Sequence, residues 1–439
     1  MFPNAGGWLA APANTMQLVR DPLPLLRGLG ERHGRSFMLT LLDGPSLVSG
    51  DPAVVADMFA GGGTHADAPN EIVTPLVGER SIVLANGAPH RRKRKMLAPP
   101  FHGARMLAYG QTIADATRRG VDSLRPGDTL DVLDMTQRLS LEVILRAAFG
   151  VTDPVRVQVL QRAIYGVVSG FPAWLMFTPL LQRPMAGVGP WDRHLRAVAA
   201  LKSLLLEEIA AARSVPEGSR DDVLSMMLTA RDEQGQGMPD DEIVDELRTL
   251  IIAGHETTAT TLGWALWQLH RNPDVLTRLH AELDTLPSDA SPAALSKLPY
   301  LTATCDETLR MHPIVPVFRR RLTQAMRLGD HEMPAGTILS PAVMMTHYDP
   351  SLYPDPDQFR PERFLERKFG PTEFMPFGGG NRRCLGAAFA NFELQVALGT
   401  LIANHRFSDI DTSPRRVVMH GVTTRANAPI RLRYEGRRA

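Results

Sequence analysis

The stretch PDDEIVDELRTLIIAGHETTATTLGWALWQLHRNP (239–273) constrains the fold more than any other part of the chain. Pro239 and the acids behind it suit the positive end of a helix, and His270, Arg271 and Asn272-Pro273 suit its close. The pattern predicts one helix of about 33 residues, roughly 50 Å long, enough to cross a whole domain. Apolar side chains on many of its sides predict burial.

A length of 439 residues would allow about three domains. No Ser- or Gly-rich linker, charge block or internal repeat divides the sequence, so one large, mainly α body with a small β region is expected over residues 1–439. Hydrophobic residues make up 44% and charged residues 22%, which provides ample core. A net charge of +1 predicts no general attraction to nucleic acid or anionic membrane. Two cysteines exclude a disulfide framework and suit a reducing cytosol. The N-terminal stretch carries Pro3, Pro12, Pro22 and Pro24 and no long apolar run. Neither a transmembrane anchor nor a signal peptide is expected, and the protein is expected to be soluble and cytoplasmic.

Along the chain, FMLTLLDGPSLVSG (37–50) predicts a hairpin around Asp43-Gly44. Asp51 and Pro52 open a helix that Gly61-Gly62-Gly63 stops. Residues 64–88 read as a loop, and a helix follows from about Pro89 through the basic run HRRKRK (90–95). Helical patterning covers 111–150, 154–170 and about 191–213. The apolar, proline-bearing stretch 171–190 cannot form one regular element. Further helices are expected around 297–311 and 385–403, with strand-like pieces at 316–345 and 416–434.

Four separated motifs stand in this frame: AGHETT (253–258), ETLR (307–310), PERF (361–364) and FGGGNRRCLG (377–386). In their order and approximate spacing they resemble the cytochrome P-450 superfamily of haem-thiolate monooxygenases, over essentially the whole chain. The resemblance implies that fold, with haem b held by an axial thiolate from Cys384. A thiolate ligand pushes electron density toward O–O cleavage, and it needs stabilisation. Gly378 and Gly380 permit a tight turn whose N–H groups can point at sulfur. The helix beginning near Leu385 aims its positive end the same way. Gly386 adds no bulk, and Phe377 can pack beside the ligand. Cys305 sits inside a helix without such a cradle and reads as core.

Arg382 can reach a haem propionate, and the resemblance adds His90, Arg94 and Arg320 as propionate contacts. Arg319 and Arg321 leave the register of the last one open. Ala253 and Gly254 remove side chains where a flat cofactor needs room. Thr257 can bond the carbonyl of Ala253 and open the helix locally. Glu256 and Thr257 then form an acid–alcohol pair that carries protons to dioxygen, with Thr257 preferred over Thr258 by the family's pattern. Glu307, Arg310 and Arg363 resemble the family's buried Glu-Arg-Arg triad, whose role reads as registering the cysteine loop.

The resemblance implies a monooxygenase that takes dioxygen as co-substrate. It would hydroxylate or epoxidise a lipophilic small molecule such as a fatty acid, terpenoid or polyketide. Its electrons would come from NAD(P)H through a separate ferredoxin reductase and ferredoxin, since no residues remain for a fused reductase. The basic run near Arg383 would form the ferredoxin dock. A monomer is expected. Segments 64–88 and 165–190 are the candidate lids. Phe171, Trp174 and Phe177 read equally as entry channel or core. Ile252, Val315, Val317, Val422 and Thr423 occupy positions that line the cavity in related enzymes. LAPPFHGARMLAYG (97–110) looks like bacterial members that oxidise fatty acids, alkanes or terpenes. A peroxide-driven enzyme, an isomerase or dehydratase on the same fold, and a non-catalytic haem sensor or carrier are the alternatives. Intact Glu256 and Thr257 argue against them.

Overall fold

The computed structural model describes residues 2–61, 65–101, 104–216, 218–287, 290–411 and 413–438. The N-terminal part holds α1 (Ala11–Arg20), α2 (Pro22–His33), β1 (Ser36–Leu41), β2 (Gly44–Ser49), α3 (Pro52–Gly61), β3 (Ala66–Asp67) and α4 (Thr74–Val77). Then come α5 (Gly87–Leu97), α6 (Ala104–Val121), β4 (Thr129–Asp131), α7 (Val132–Phe149), α8 (Pro154–Ser169), α9 (Ala173–Met176), α10 (Pro190–Arg213) and α11 (Val223–Thr229). The long α12 (Asp240–Arg271) is followed by α13 (Pro273–Leu283) and α14 (Pro299–Met311). The chain continues through β5 (Arg320–Leu322), β6 (Met326–Leu328), β7 (His331–Met333), β8 (Ile338–Pro341), α15 (Val343–His347) and α16 (Arg363–Glu366). It ends with α17 (Ala387–Asn404), β9 (His405–Asp409), β10 (Val417–His420), β11 (Thr423–Ala426) and β12 (Arg431–Arg437).

The expected long helix is α12, with Asp240, Asp241 and Glu242 in its first turn and His270 and Arg271 in its last. It is buried on most sides and packs chiefly on α7, with α17, α14 and α10 around it. Gly254 faces α7, where a Cβ would stand 3.1 Å from Ile144 Cδ1. The glycine therefore also serves helix packing.

Local chemistry explains two further departures from expectation. The stretch 111–150 is not one helix, because Pro126-Gly127, with Gly127 at φ +98°, breaks it. Asp131 then caps α7 by accepting from the Asp134 N–H at 3.2 Å. Residues 64–88 are not wholly loop, for they hold β3 and α4. Gly62 and Gly63 of the expected helix stop lie outside the described residues, as does part of the 97–110 stretch.

The β1–β2 hairpin forms as expected and continues into a sheet of order β1-β2-β8-β5-β3, in which β2 and β8 run parallel. In that sheet the alternation at β5 turns Arg320 inward, against Leu339, and Arg321 outward. The β10–β11 hairpin is separate, and β4, β12 and β9 form a third sheet. No helix among the described residues is long and apolar enough to cross a membrane.

Where α12 meets the end of α14, Trp264 stacks on His312 with ring centroids 3.9 Å apart and planes 3° from parallel. Trp264 is 1% exposed. Trp264→Ala is expected to cost about 3–5 kcal/mol, read as a lower urea midpoint. Trp174→Ala, at a side chain 54% exposed, is expected to stay within about 0.5 kcal/mol of wild type in the same assay.

Candidate active site

The cysteine loop begins with a tight turn. Gly378 and Gly380 have φ of +68° and +65°, which glycine adopts at little cost. Close approach adds a second demand: a Cβ on Gly379 would lie 2.3 Å from the Phe59 ring of α3, and one on Gly380 2.6 Å from the Phe59 carbonyl oxygen. The Cys384 N–H donates to the Phe377 carbonyl at 2.9 Å, and the Gly386 N–H points at the sulfur. Gly386 caps α17, which starts at Ala387. Burial pushes the Cys384 thiol up, while the Gly386 N–H, Arg383 and Arg94 pull it down. Cys384 nevertheless presents exposed surface, whereas Cys305 is buried core.

Around the loop lies a group of cations with few anionic partners. Arg94 donates to the Arg383 carbonyl at 2.7 Å. Arg382 bonds the Ala85 carbonyl and the Asn86 side chain. Arg320 is buried and donates to its neighbour's carbonyl, Arg319 O, at 2.7 Å. Burial and the charge of Arg382 press its pKa down to about 10. Its neighbours differ, since Arg319 pairs with Asp43 and Arg321 is exposed. His90 is buried, its Nδ1 has no hydrogen-bond partner, and its pKa falls to about 4 through burial and then Arg382, Arg94 and Arg320. The four residues His90, Arg94, Arg320 and Arg382 are thus gathered in one place.

The rest of the basic run is spent differently from the expectation. Arg92 pairs with Asp232 at 2.7 Å, Lys93 is buried against Glu242 and Glu246, and Lys95 pairs with Glu233 at 2.9 Å. The run is therefore largely neutralised by carboxylates around the start of α12. Among the described residues, Arg91 and Arg383 are exposed with no ion pair.

On α12 the burial breaks at Ile252, Ala253, Gly254, Glu256 and Thr257, with Ala253 exposed. Thr257 Oγ1 donates to the Ala253 carbonyl at 2.7 Å, while Thr258 is buried and donates to Gly254 O at 3.0 Å. The helix runs on unbroken here, so the expected local opening is absent. A carbonyl has two lone pairs, and the hydroxyl can add to the helical bond without displacing it. Glu256 is largely buried, which raises its pKa, and the charge of Arg425 opposes the rise.

Ile252, Val315 and Val317 are half-buried, Thr423 likewise, and Val422 is exposed at the β10–β11 turn. Phe171 is buried against Trp191 and His194 and so belongs to a core, while Trp174 and Phe177 are exposed. The two candidate lids meet: Ile72 and Leu76 pack on Phe171, Leu175 and Met176.

Glu307 joins both arginines. It accepts from Arg310 at 2.7 and 2.8 Å and from Arg363 at 3.0 Å, and it also takes the Arg360 backbone N–H at 2.9 Å. Arg310 donates to the His347 carbonyl at 2.8 Å. His347 is a partner that no motif signalled. Its Nδ1 bonds the Arg310 carbonyl at 3.1 Å, and its Nε2 accepts the Met375 N–H at 3.0 Å, which ties α14 to the entrance of the cysteine loop.

The sequence matches the Cytochrome P450 family over residues 8–432. The chain belongs to the cytochrome P450 family. It is 33% identical over 437 residues to a Mycobacterium tuberculosis protein named as cytochrome P450 135B1, covering 99% of this chain and 91% of that one. It is also 33% identical over 401 residues to one named as cytochrome P450 137 from the same organism, covering 89% and 82%. A solved structure titled retinoic acid bound cyanobacterial CYP120A1 superposes with a TM-score of 0.83 at 24% identity, covering 96% of each chain. The P450 fold and membership of a haem-thiolate monooxygenase family follow.

Burial holds the His347 pKa at about 3, with the Arg310 charge lowering it further. The unfolded chain takes up a proton below its ordinary value of about 6.5, and the folded one does not until about pH 3. Stability from this group is therefore full above about pH 6.5 and falls as pH drops. In urea unfolding between pH 6.5 and 4, wild type is expected to lose up to about 1.4 kcal/mol per pH unit more than His347→Gln. In the same site, Glu307→Ala leaves two buried guanidinium groups unpaired and is expected to cost about 3–5 kcal/mol.

Proposed function

We propose that this P450 holds its haem through Cys384 and oxidises a lipophilic small molecule of the fatty-acid, terpenoid or polyketide kind. The observation that carries the reading is the gathering of three guanidinium groups, Arg94, Arg320 and Arg382, buried wholly or in part and hydrogen-bonded to backbone and amide oxygens rather than carboxylates, around the buried His90 and beside the exposed Cys384. Buried charge without an anion is unfavourable, so this donor set suits a flat group that brings a metal for the sulfur and carboxylates for the cations. The orphaned Nδ1 of His90 fits the same group.

When bound, the haem supplies the reduction of dioxygen and the transfer of one oxygen atom into a C–H or C=C bond. The chain supplies the rest. The Gly386 N–H, Arg383 and Arg94 favour the thiolate of Cys384. Phe377 packs beside the loop, and Glu307, Arg310 and Arg363 keep the loop in register through His347 and Met375. Ala253 leaves room on α12. Thr257 holds a proton at Oγ1, and Glu256, whose burial raises its proton affinity, replenishes it. Ile252, Val315, Val317, Val422 and Thr423 offer the substrate no charge. Electrons come from separate ferredoxin and ferredoxin reductase proteins in the cytoplasm. Arg383 and Arg91 are the cations left for that docking.

Cys384→Ala is expected to abolish the thiolate absorption spectrum of the carbon-monoxide complex. Thr257→Ala is expected to keep that spectrum but to release several-fold more of the consumed dioxygen as hydrogen peroxide. A fully coupled Thr257→Ala enzyme would remove the proton assignment. Titrating the purified protein with fatty acids, terpenes and steroids is expected to shift the main haem band for one class, which names the substrate class.

A further inference from the structure

The β10–β11 hairpin brings a second titratable group to Glu256. His420 is the last residue of β10, and its Nε2 stands 3.9 Å from Glu256 Oε1. The histidine side chain is 39% exposed and the glutamate 23%. One group therefore reaches solvent, and the other lies on the α12 stripe that carries Thr257. The arrangement is fixed by the fold. His420 pairs with Thr423 across a turn in which Gly421 has φ +64°, and Thr423 Oγ1 donates to the His420 carbonyl at 3.1 Å. Next to it, the buried Thr424 anchors the hairpin by two bonds, N–H to Ile314 O and Oγ1 to Pro313 O, both at 2.9 Å.

We propose that His420 is a positioning residue for Glu256, taking protons from solvent and passing them to its carboxylate. This inference rests on the proton route proposed above. The step is balanced: the imidazolium Nε2–H bond breaks, a Glu256 Oε1–H bond forms, and a hydronium ion from solvent reprotonates the ring and leaves as water. One proton moves inward and no electrons are exchanged. Closing 3.9 Å to hydrogen-bond length needs a movement of about 1 Å.

The chemistry favours histidine over the other cation at hand. Arg425, on β11, lies 3.5 Å from His420 Nε2 and also acts on Glu256. A guanidinium does not release a proton in this range, whereas an imidazole does. Arg425 instead tunes both groups. Burial, and then Arg425, lower the His420 pKa, and burial raises that of Glu256. The two affinities are drawn together, which favours transfer in either direction. Helices α1 and α2 also pack on β10. Among the described residues, Arg425 and Glu256 are the charged groups that face His420.

The first test is an NMR pH titration of the His420 ring in the ferrous carbon-monoxide form of the holoprotein, compared with Glu256→Gln. Loss of the carboxylate is expected to lower the His420 midpoint by about half a unit, a three-fold loss of proton affinity. A midpoint that moves by less than about 0.1 unit would falsify the coupling. The second is the fraction of consumed dioxygen released as hydrogen peroxide during turnover with ferredoxin and its reductase, followed against pH. In wild type this fraction is expected to rise through the His420 midpoint. In His420→Gln it is expected to be several-fold higher and flat across that range, which a merely structural role would not produce. If Thr257→Ala leaves the fraction unchanged, the underlying proton route is wrong. If Thr257→Ala raises it but His420→Gln matches wild type at every pH, the route stands and the role of His420 falls.

Discussion

The carboxylate of Glu307 organises the proximal half of this molecule. Fully buried, it accepts hydrogen bonds from Arg310, Arg363 and the Arg360 backbone. A buried ion pair of this kind gives little net stability against an apolar replacement, because desolvation offsets most of the attraction. What it supplies is registration. Arg363 reaches on to the carbonyls of Pro354, Asp355 and Gln358, so the irregular chain there is held by one side chain from within. Tyr348 and Tyr353 place their rings over the Arg310 guanidinium, at 5.5 and 5.2 Å, and shield it from water. Through His347 the same network reaches Met375, whose carbonyl accepts the Gly378 N–H that starts the cysteine turn.

A second principle separates the structural charges from those of the site. Most of the cations near α5 are matched by carboxylates: Lys93 by Glu242 and Glu246, Arg92 by Asp232. The arginines beside the cysteine loop are matched by backbone oxygens and the Asn86 amide oxygen. Such a pattern is costly in an isolated protein, and it is the physical ground for the anionic ligand groups proposed above. The contrast shows within one run of six residues, where His90 and Arg94 face the loop while Arg92, Lys93 and Lys95 hold α5 to the start of α12.

Much of this was legible in the sequence, because short-range chemistry decided it. The acidic start and His-Arg-Asn-Pro close of α12 bound its helix, and the glycines of 378–380 announced a turn around Cys384. What escaped depends on contacts far along the chain. Gly379 has no role that the sequence shows, and it is needed because Phe59, some 320 residues earlier, lies against it. Gly254 reads as cofactor clearance, and its close approach to Ile144 could not be read from the motif. His347 belongs to no motif, and its role arises only when α15 is laid between α14 and Met375. His420 sits in a tail that carries no chemical signature, and only the fold of the hairpin sets it beside Glu256. Helical patterning ran through 122–131 because apolar spacing continues on both sides of Pro126-Gly127, and the turn chemistry prevailed over it.

The cluster of Phe171, Leu175 and Met176 with Ile72 and Leu76 stands apart from the main core, and Leu76 is the side chain that touches both. Beneath it, Arg248 of α12 grips the carbonyls of Pro75 and Leu76 at 2.8 and 2.7 Å. A small satellite cluster breaks at far lower free energy than the whole fold. Breathing of this patch therefore has its own free energy, set by a handful of apolar contacts and one guanidinium. Such a patch can open and close without any change in how firmly the cysteine loop is held.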